Sequence, residues 1–185
     1  ESDNPFYRCF EGGMLTLNTF IRKVPDRVVY WGTSGQRITD SYHFDACCMK
    51  ELLDYSRLLH GKDIRGQLTP PSFEDIKTNI QFHYDTIRKY ASSTGRSIYS
   101  FGWLLDIARC IYTLRTGKII SKTAAGEWAL QNCLFYNITA LETALEVRKN
   151  PQKYLESAEL QALSGKLGNA IQQYADVLEK ELKTT

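Results

Sequence analysis

The sequence predicts a mainly α protein: a helical bundle carrying a small N-terminal β appendage. Two patterns lead there. From Asp40 onward apolar residues recur at intervals of three and four, the period of helices buried along one face. Before Asp40 they fall in short runs rich in β-formers, punctuated by Gly12-Gly13, Pro25-Asp26 and Thr33-Ser34-Gly35. The 185 residues, 43% hydrophobic and 12% aromatic, suffice for one well-buried core plus a small appendage. The expected division is an appendage over 1–40 and a helical domain over 41–185.

In chain order, the spacing predicts strands at 6–10, 14–17, 27–31 and 36–39. So few short strands cannot bury both faces of a sheet, and an open edge invites pairing, so the appendage reads as the remnant of a larger sheet. Met49, Leu52, Leu53 and Leu59 then share a helix face, with Gly61 as the stop. After Thr69-Pro70-Pro71, Ser72 and Asp75 form a capping box with Asp in place of the usual Glu or Gln. The helix behind it repeats Phe73, Ile76, Ile80, Tyr84 and Ile87.

Trp103, Ile107, Ile111 and Leu114, flanked by Leu104 and Ala108, mark the next helix, and Gly117 sits where a left-handed C-cap belongs. Ser121 caps its successor, which begins Lys122 and includes Ala124, Ala125, Trp128 and Ala129. A helix over 134–149 ends at Asn150-Pro151. The stretch 152–183, with Leu155, Leu160, Leu163, Leu167, Ile171, Tyr174, Leu178 and Leu182, is one long helix or two. Gly165 and Gly168 each weaken a helix interior by about 1 kcal/mol.

Composition removes several function classes. A formal charge of +2, with dispersed lysines and arginines, argues against a nucleic-acid or anionic-membrane partner. No apolar run has the length of a membrane span, and no secretory leader is read. The five cysteines, Cys47 and Cys48 adjacent, show no Cys-x-x-Cys pair. They fit neither a disulfide framework nor a zinc site and read as reduced thiols of a cytoplasmic protein. His43, His60 and His83 lack ligand spacing, so no metal site is expected. Trp31-Gly32-Thr33-Ser34-Gly35 lacks the frame of a nucleophile elbow and reads as a hairpin turn. The spacing of Trp103, Tyr112, Trp128 and Tyr136 favours core packing over a stacking platform.

Lys118 and Lys122 flank the connector between the two central helices. A lysine in a first helical turn opposes the helix dipole by about 0.3–1 kcal/mol unless something negative is near. Either both lysines are solvated, or a bound polyphosphate lies beside them.

The block Leu104-Leu105-Asp106 through Thr116-Gly117-Lys118 and Lys122 to Glu127-Trp128-Ala129 resembles the central signature of the C-terminal helical domain of aminoglycoside adenylyltransferases, the streptomycin/spectinomycin resistance type. The resemblance implies AMP transfer from ATP to a hydroxyl of an aminoglycoside or similar small molecule, with Mg2+ in the complete enzyme. It implies an upstream nucleotidyltransferase domain whose last strands are residues 1–40. Lys122, the second lysine of Gly-Lys-x-x-x-Lys, takes the position that contacts the nucleotide triphosphate, with Lys118 beside it. Glu11, within Cys9-Phe10-Glu11-Gly12-Gly13-Met14-Leu15, occupies the place of the general-base carboxylate; the bland reading is an ordinary turn or edge-strand glutamate.

The family's magnesium-binding aspartate pair has no counterpart here, because the chain contains no Asp-x-Asp and no Gly-Ser loop upstream of Glu11. The chain alone is therefore expected to be inactive. Counting back from Lys122 places the family's two substrate aspartates on Gly95 and Tyr99 and its tryptophan on Tyr90. The aromatic is kept in type but both acids are gone, which argues against streptomycin itself. Glu127 and Asp106 are the neighbouring carboxylates, each a ligand or a solvated helix residue. The alternative to the enzyme half is a non-catalytic helical interaction or ligand-binding domain.

Overall fold

The computed structural model describes residues 12–24, 27–32, 35–40, 44–90, 98–154 and 156–185. It is mainly helical with a small three-stranded antiparallel sheet near the N-terminus, as the sequence predicts. The chain divides into two compact units, Glu1–Pro71 and Ser72–Thr185. The division lies C-terminal to the compositional change at Asp40.

In the first unit, β1 (Gly12–Met14), β2 (Val28–Gly32) and β3 (Gly35–Thr39) pair in that order. Gly32 opposite Gly35 closes the β2–β3 pairing, while Thr33 and Ser34 of the expected hairpin turn lie outside the described residues. Register aligns Met14, Val29 and Ile38 in one row across the strands. All three are exposed, whereas Val28, on the opposite face by alternation, is fully buried.

The expected strand at 14–17 is a correction: β1 ends at Met14, and Leu17–Ile21 forms α1. Apolar alternation over so short a run cannot separate a strand end from a helical turn. The expected strand at 6–10 lies outside the described residues.

α2 (Ala46–Tyr55) is capped by Asp45, whose Oδ1 accepts from the Cys48 N–H at 2.7 Å. It stops at Tyr55 rather than at Gly61, a second correction. Arg65 donates from Nη1 to the Ser56 carbonyl at 3.1 Å, satisfying a group just past the helix end, and Leu59 is left exposed. Gly61 does take a left-handed φ of +85°, but within a loop.

The second unit is built around α4 (Gly102–Thr116). Against it lie α5 (Lys122–Gln131), α6 (Ile138–Lys149), α3 (Phe73–Tyr90) and α9 (Leu167–Thr184). A helix surrounded in this way must be apolar over most of its circumference, and Leu104, Leu105, Ile107, Ala108, Cys110, Ile111, Thr113 and Leu114 are all buried. α3 and α9 bury narrower stripes, Ile76, Ile80 and Ile87 facing inward from one and Ile171, Tyr174 and Leu178 from the other. Arg88 of α3 ties them together through Asp176 at 2.5 Å and Glu179 at 3.0 Å.

The capping box forms as read: Asp75 N–H donates to Ser72 Oγ at 3.1 Å, and Ser72 N–H to Asp75 Oδ2 at 2.8 Å. α6 starts at Ile138, later than expected. Cys133 takes a left-handed φ of +49° just after α5, and Asn137, missed in the sequence, caps α6 by accepting from the Ala140 N–H at 3.3 Å. Tyr136, expected in the core, stands fully exposed on that loop. The C-terminal stretch, expected as one helix or two, is instead three, α7 (Pro151–Tyr154), α8 (Ala158–Ser164) and α9, the last break falling at Gly165-Lys166 while Gly168 lies inside α9.

Candidate functional site

The site is the connector between α4 and α5 and what its two ends fix. Gly117 caps α4 with φ +67°, its N–H donating to the Thr113 carbonyl at 2.8 Å, as a left-handed C-cap should. Ser121 caps α5 by accepting from the Ala124 N–H at 3.1 Å. Between the caps Ile119 is buried, which pins the middle of the connector and leaves Lys118 exposed. Both expected caps are present.

Lys122 opens α5, where its charge opposes the dipole. The structure supplies the compensating charge from within the fold: Lys122 Nζ donates to Asp106 Oδ2 at 2.8 Å. Asp106 also accepts from Arg109 Nη2 on its Oδ1 at 3.2 Å, so one carboxylate serves two cations. Its side chain is 14% exposed, against 31% for Lys122 and 30% for Arg109. The acid lies deeper than the bases it holds.

Close packing of α5 makes the contact possible. Ala125, Gly126 and Ala129 are buried, and a Cβ on Gly126 would come within 2.7 Å of Leu105 Cδ2 and 2.8 Å of Leu145 Cδ2. Gly126 lies one helical turn after Lys122 on the same face, and Leu105 directly precedes Asp106. The glycine thus leaves room for Leu105 and Leu145 where α5 packs beside Asp106.

The other sequence-read residues disperse. Glu127 points to α6, where Lys149 pairs with it at 2.6 Å. Tyr90 ends α3, exposed, with Lys89 Nζ 4.9 Å from its ring centroid. Tyr99 falls in the 3-10 turn Ile98–Phe101, its side chain outside the described residues, as are Glu11 and Gly95 altogether. Trp128 meets Tyr112 edge to face at 5.2 Å and lies 5.7 Å from the Arg115 guanidinium. Arg115 pairs with Glu181 of α9, and that hydrogen bond raises its pKa further above the ordinary arginine value.

Sequence reasoning missed Arg109 and ranked Asp106 only as a neighbouring carboxylate. The i, i+3 spacing of the two was visible, but the return of the connector alongside α4, which carries Lys122 back to Asp106, was not. Among the described residues no group of three or more His, Cys, Asp or Glu side chains is placed to hold a metal ion. Among the same residues no helix is long and apolar enough to cross a membrane.

Taken together, the second unit is a helical domain with a buried central helix and a cationic helix–connector–helix junction. Residues 75–179 match the family model described as the aminoglycoside adenylyltransferase C-terminal domain, and the chain belongs to that family. The matched span contains α4, the connector and Lys122. Comparison with curated proteins and with solved structures returned no match.

Proposed function

We propose that this chain supplies the helical, nucleotide- and substrate-binding part of an enzyme that transfers AMP from ATP to a hydroxyl of an aminoglycoside or similar small molecule. Lys122, with Arg109 beside it, holds the triphosphate. The substrate oxygen forms a bond to the α-phosphorus, the bond from that phosphorus to the bridging oxygen breaks, and pyrophosphate leaves. Glu11 receives the hydroxyl proton in this reading. The cations stabilise the charge that grows on the leaving oxygens.

The observation that carries the reading is the family match over residues 75–179, which spans α4, the connector and Lys122. Each cation spends one hydrogen bond on Asp106, and an ammonium has three donors and a guanidinium five. The exposed row Met14, Val29 and Ile38 supports a further partner, an upstream nucleotidyltransferase domain that covers this face and brings the magnesium ligands.

The test is Lys122→Ala in the full-length protein, titrated with ATP by calorimetry alongside thermal melts. A charge-assisted phosphate contact is worth about 1.5–3 kcal/mol, so affinity should fall about tenfold or more, and the melting temperature should fall as well because the partly buried Asp106 loses one of its two cations. Equal affinity with a lowered melting temperature would return the connector to a structural role. The non-catalytic domain would then be the better reading.

A further inference from the structure

We infer that Asp106 is a positioning residue for the nucleotide: it fixes the Lys122 ammonium and the Arg109 guanidinium in one orientation so that their remaining donors meet the polyphosphate together. This rests on the proposed reading of Lys122. The argument begins with a conflict of signs. A carboxylate near a polyanion site repels the ligand, so by charge alone Asp106 should weaken nucleotide binding.

The geometry opposes that role. Asp106 is the least exposed of the three side chains, at 14% against 31% and 30%, and it splits its oxygens, Oδ2 to Lys122 at 2.8 Å and Oδ1 to Arg109 at 3.2 Å. The carboxylate is more withdrawn from solvent than either cation it holds. A free lysine and a free arginine each lose considerable rotamer freedom when a ligand immobilises them. Here the protein has already restrained both on one partly buried anchor, so a phosphate finds them ordered.

Gly126 completes the device. Its missing side chain leaves room for Leu105, next to Asp106 in the chain, where α5 packs. Within the junction the pair of cations outnumbers the single acid. The site keeps a net positive charge while gaining order.

The experiment measures the ATP dissociation constant of the full-length protein by calorimetry for the unaltered sequence, Asp106→Asn, Asp106→Glu, Lys122→Ala and the Asp106→Asn/Lys122→Ala double variant. Positioning predicts that Asp106→Asn weakens ATP binding about tenfold, the scale of the restored side-chain freedom. It also predicts that Asp106→Glu, which keeps the charge but moves it, weakens binding as well. Once Lys122 is alanine, Asp106→Asn should cost much less, because the two act as a unit.

Tighter binding by Asp106→Asn would show that the carboxylate only repels, and unchanged binding that it does nothing for the ligand; either overturns the inference. An undiminished loss in the Lys122→Ala background would do so too, since Asp106 would then act through something else. If Asp106→Asn fails to fold, Asp106→Glu decides: unaltered affinity overturns positioning. Unaltered affinity of Lys122→Ala alone sinks the nucleotide reading itself, a result distinct from every failure of Asp106.

Discussion

α4 and the β-sheet respond to the same demand, to hide apolar side chains, and only one meets it with its own neighbours. α4 buries Leu104, Leu105, Ile107 and Ile111 to 1% exposure or less within Ser72–Thr185. Across the sheet the aligned row Met14, Val29 and Ile38 stays open, with Met14 at 63% and Ile38 at 60%. A surrounded helix and a single-layer sheet differ in this by geometry. A sheet has two faces, and three short strands come with material for one.

The largest expected effect tests that contrast. Ile111→Ala deletes methylenes at a fully buried position and should cost about 2–5 kcal/mol in urea unfolding. Ile38→Ser in the same chain should stay within about 0.5 kcal/mol, as exposed substitutions do. If Ile38→Ser were as costly as Ile111→Ala, the sheet row would be buried in solution and the contrast would collapse.

A smaller effect is expected where α5 meets α4. Gly126→Ala places a Cβ 2.7 Å from Leu105 Cδ2 and 2.8 Å from Leu145 Cδ2, an overpacking of about 1–3 kcal/mol. Alanine regains about 1 kcal/mol of helix propensity, so a net loss of up to about 2 kcal/mol remains. Because both clashing atoms end flexible side chains, a neutral or stabilising outcome would mean that Leu145 rotates away. The approach would then not be set by Gly126.

These cases also show which parts of the molecule were legible in the sequence. The central helix, its Gly117 cap, the Ser121 cap and the Ser72–Asp75 box were readable because period and capping are local properties. Gly61 misled as a stop, since the α2 end is marked by a distant donor, Arg65 on the Ser56 carbonyl. Asn137 was a cap hidden behind the left-handed turn at Cys133. The site was half legible: Lys122 stood out by its conflict with the dipole, but its partner lies sixteen residues back, and that contact depends on the path of the connector.

The acid limb of stability gives a weaker handle on the second unit. Hydrogen bonds from Lys183, Tyr84 and Arg88 hold Glu179 at about 2, against an ordinary 4.5. A depressed carboxylate contributes stability that is fully present above its unfolded value and lost as pH falls towards the folded one. Thermal melts between pH 5 and pH 2 should therefore show the unaltered protein falling towards Glu179→Gln, the two converging at the acid end. Because the group is exposed, the effect should be small and shrink with salt. A constant separation across that range would mean the α3–α9 ion pairs contribute nothing through Glu179.

The smallest expected effect narrows the opening contrast to the sheet face and away from the first unit as a whole. α2 belongs to that unit, yet Cys48 is pushed up to about 12, by burial first and then by the carboxylate of Asp45, which also accepts its backbone N–H. Cys133, in the otherwise well-packed second unit, is exposed on the turn after α5. The thiolate is the reactive form, so near pH 8 a thiol titrating around 12 is reactive in roughly one molecule in ten thousand. Iodoacetamide labelling followed by peptide mass mapping should modify Cys133 early and Cys48 late, without measurable change in stability. Comparable rates at the two would mean that α2 opens readily, and the lack of self-sufficient packing would then extend from the sheet to the helix that follows it.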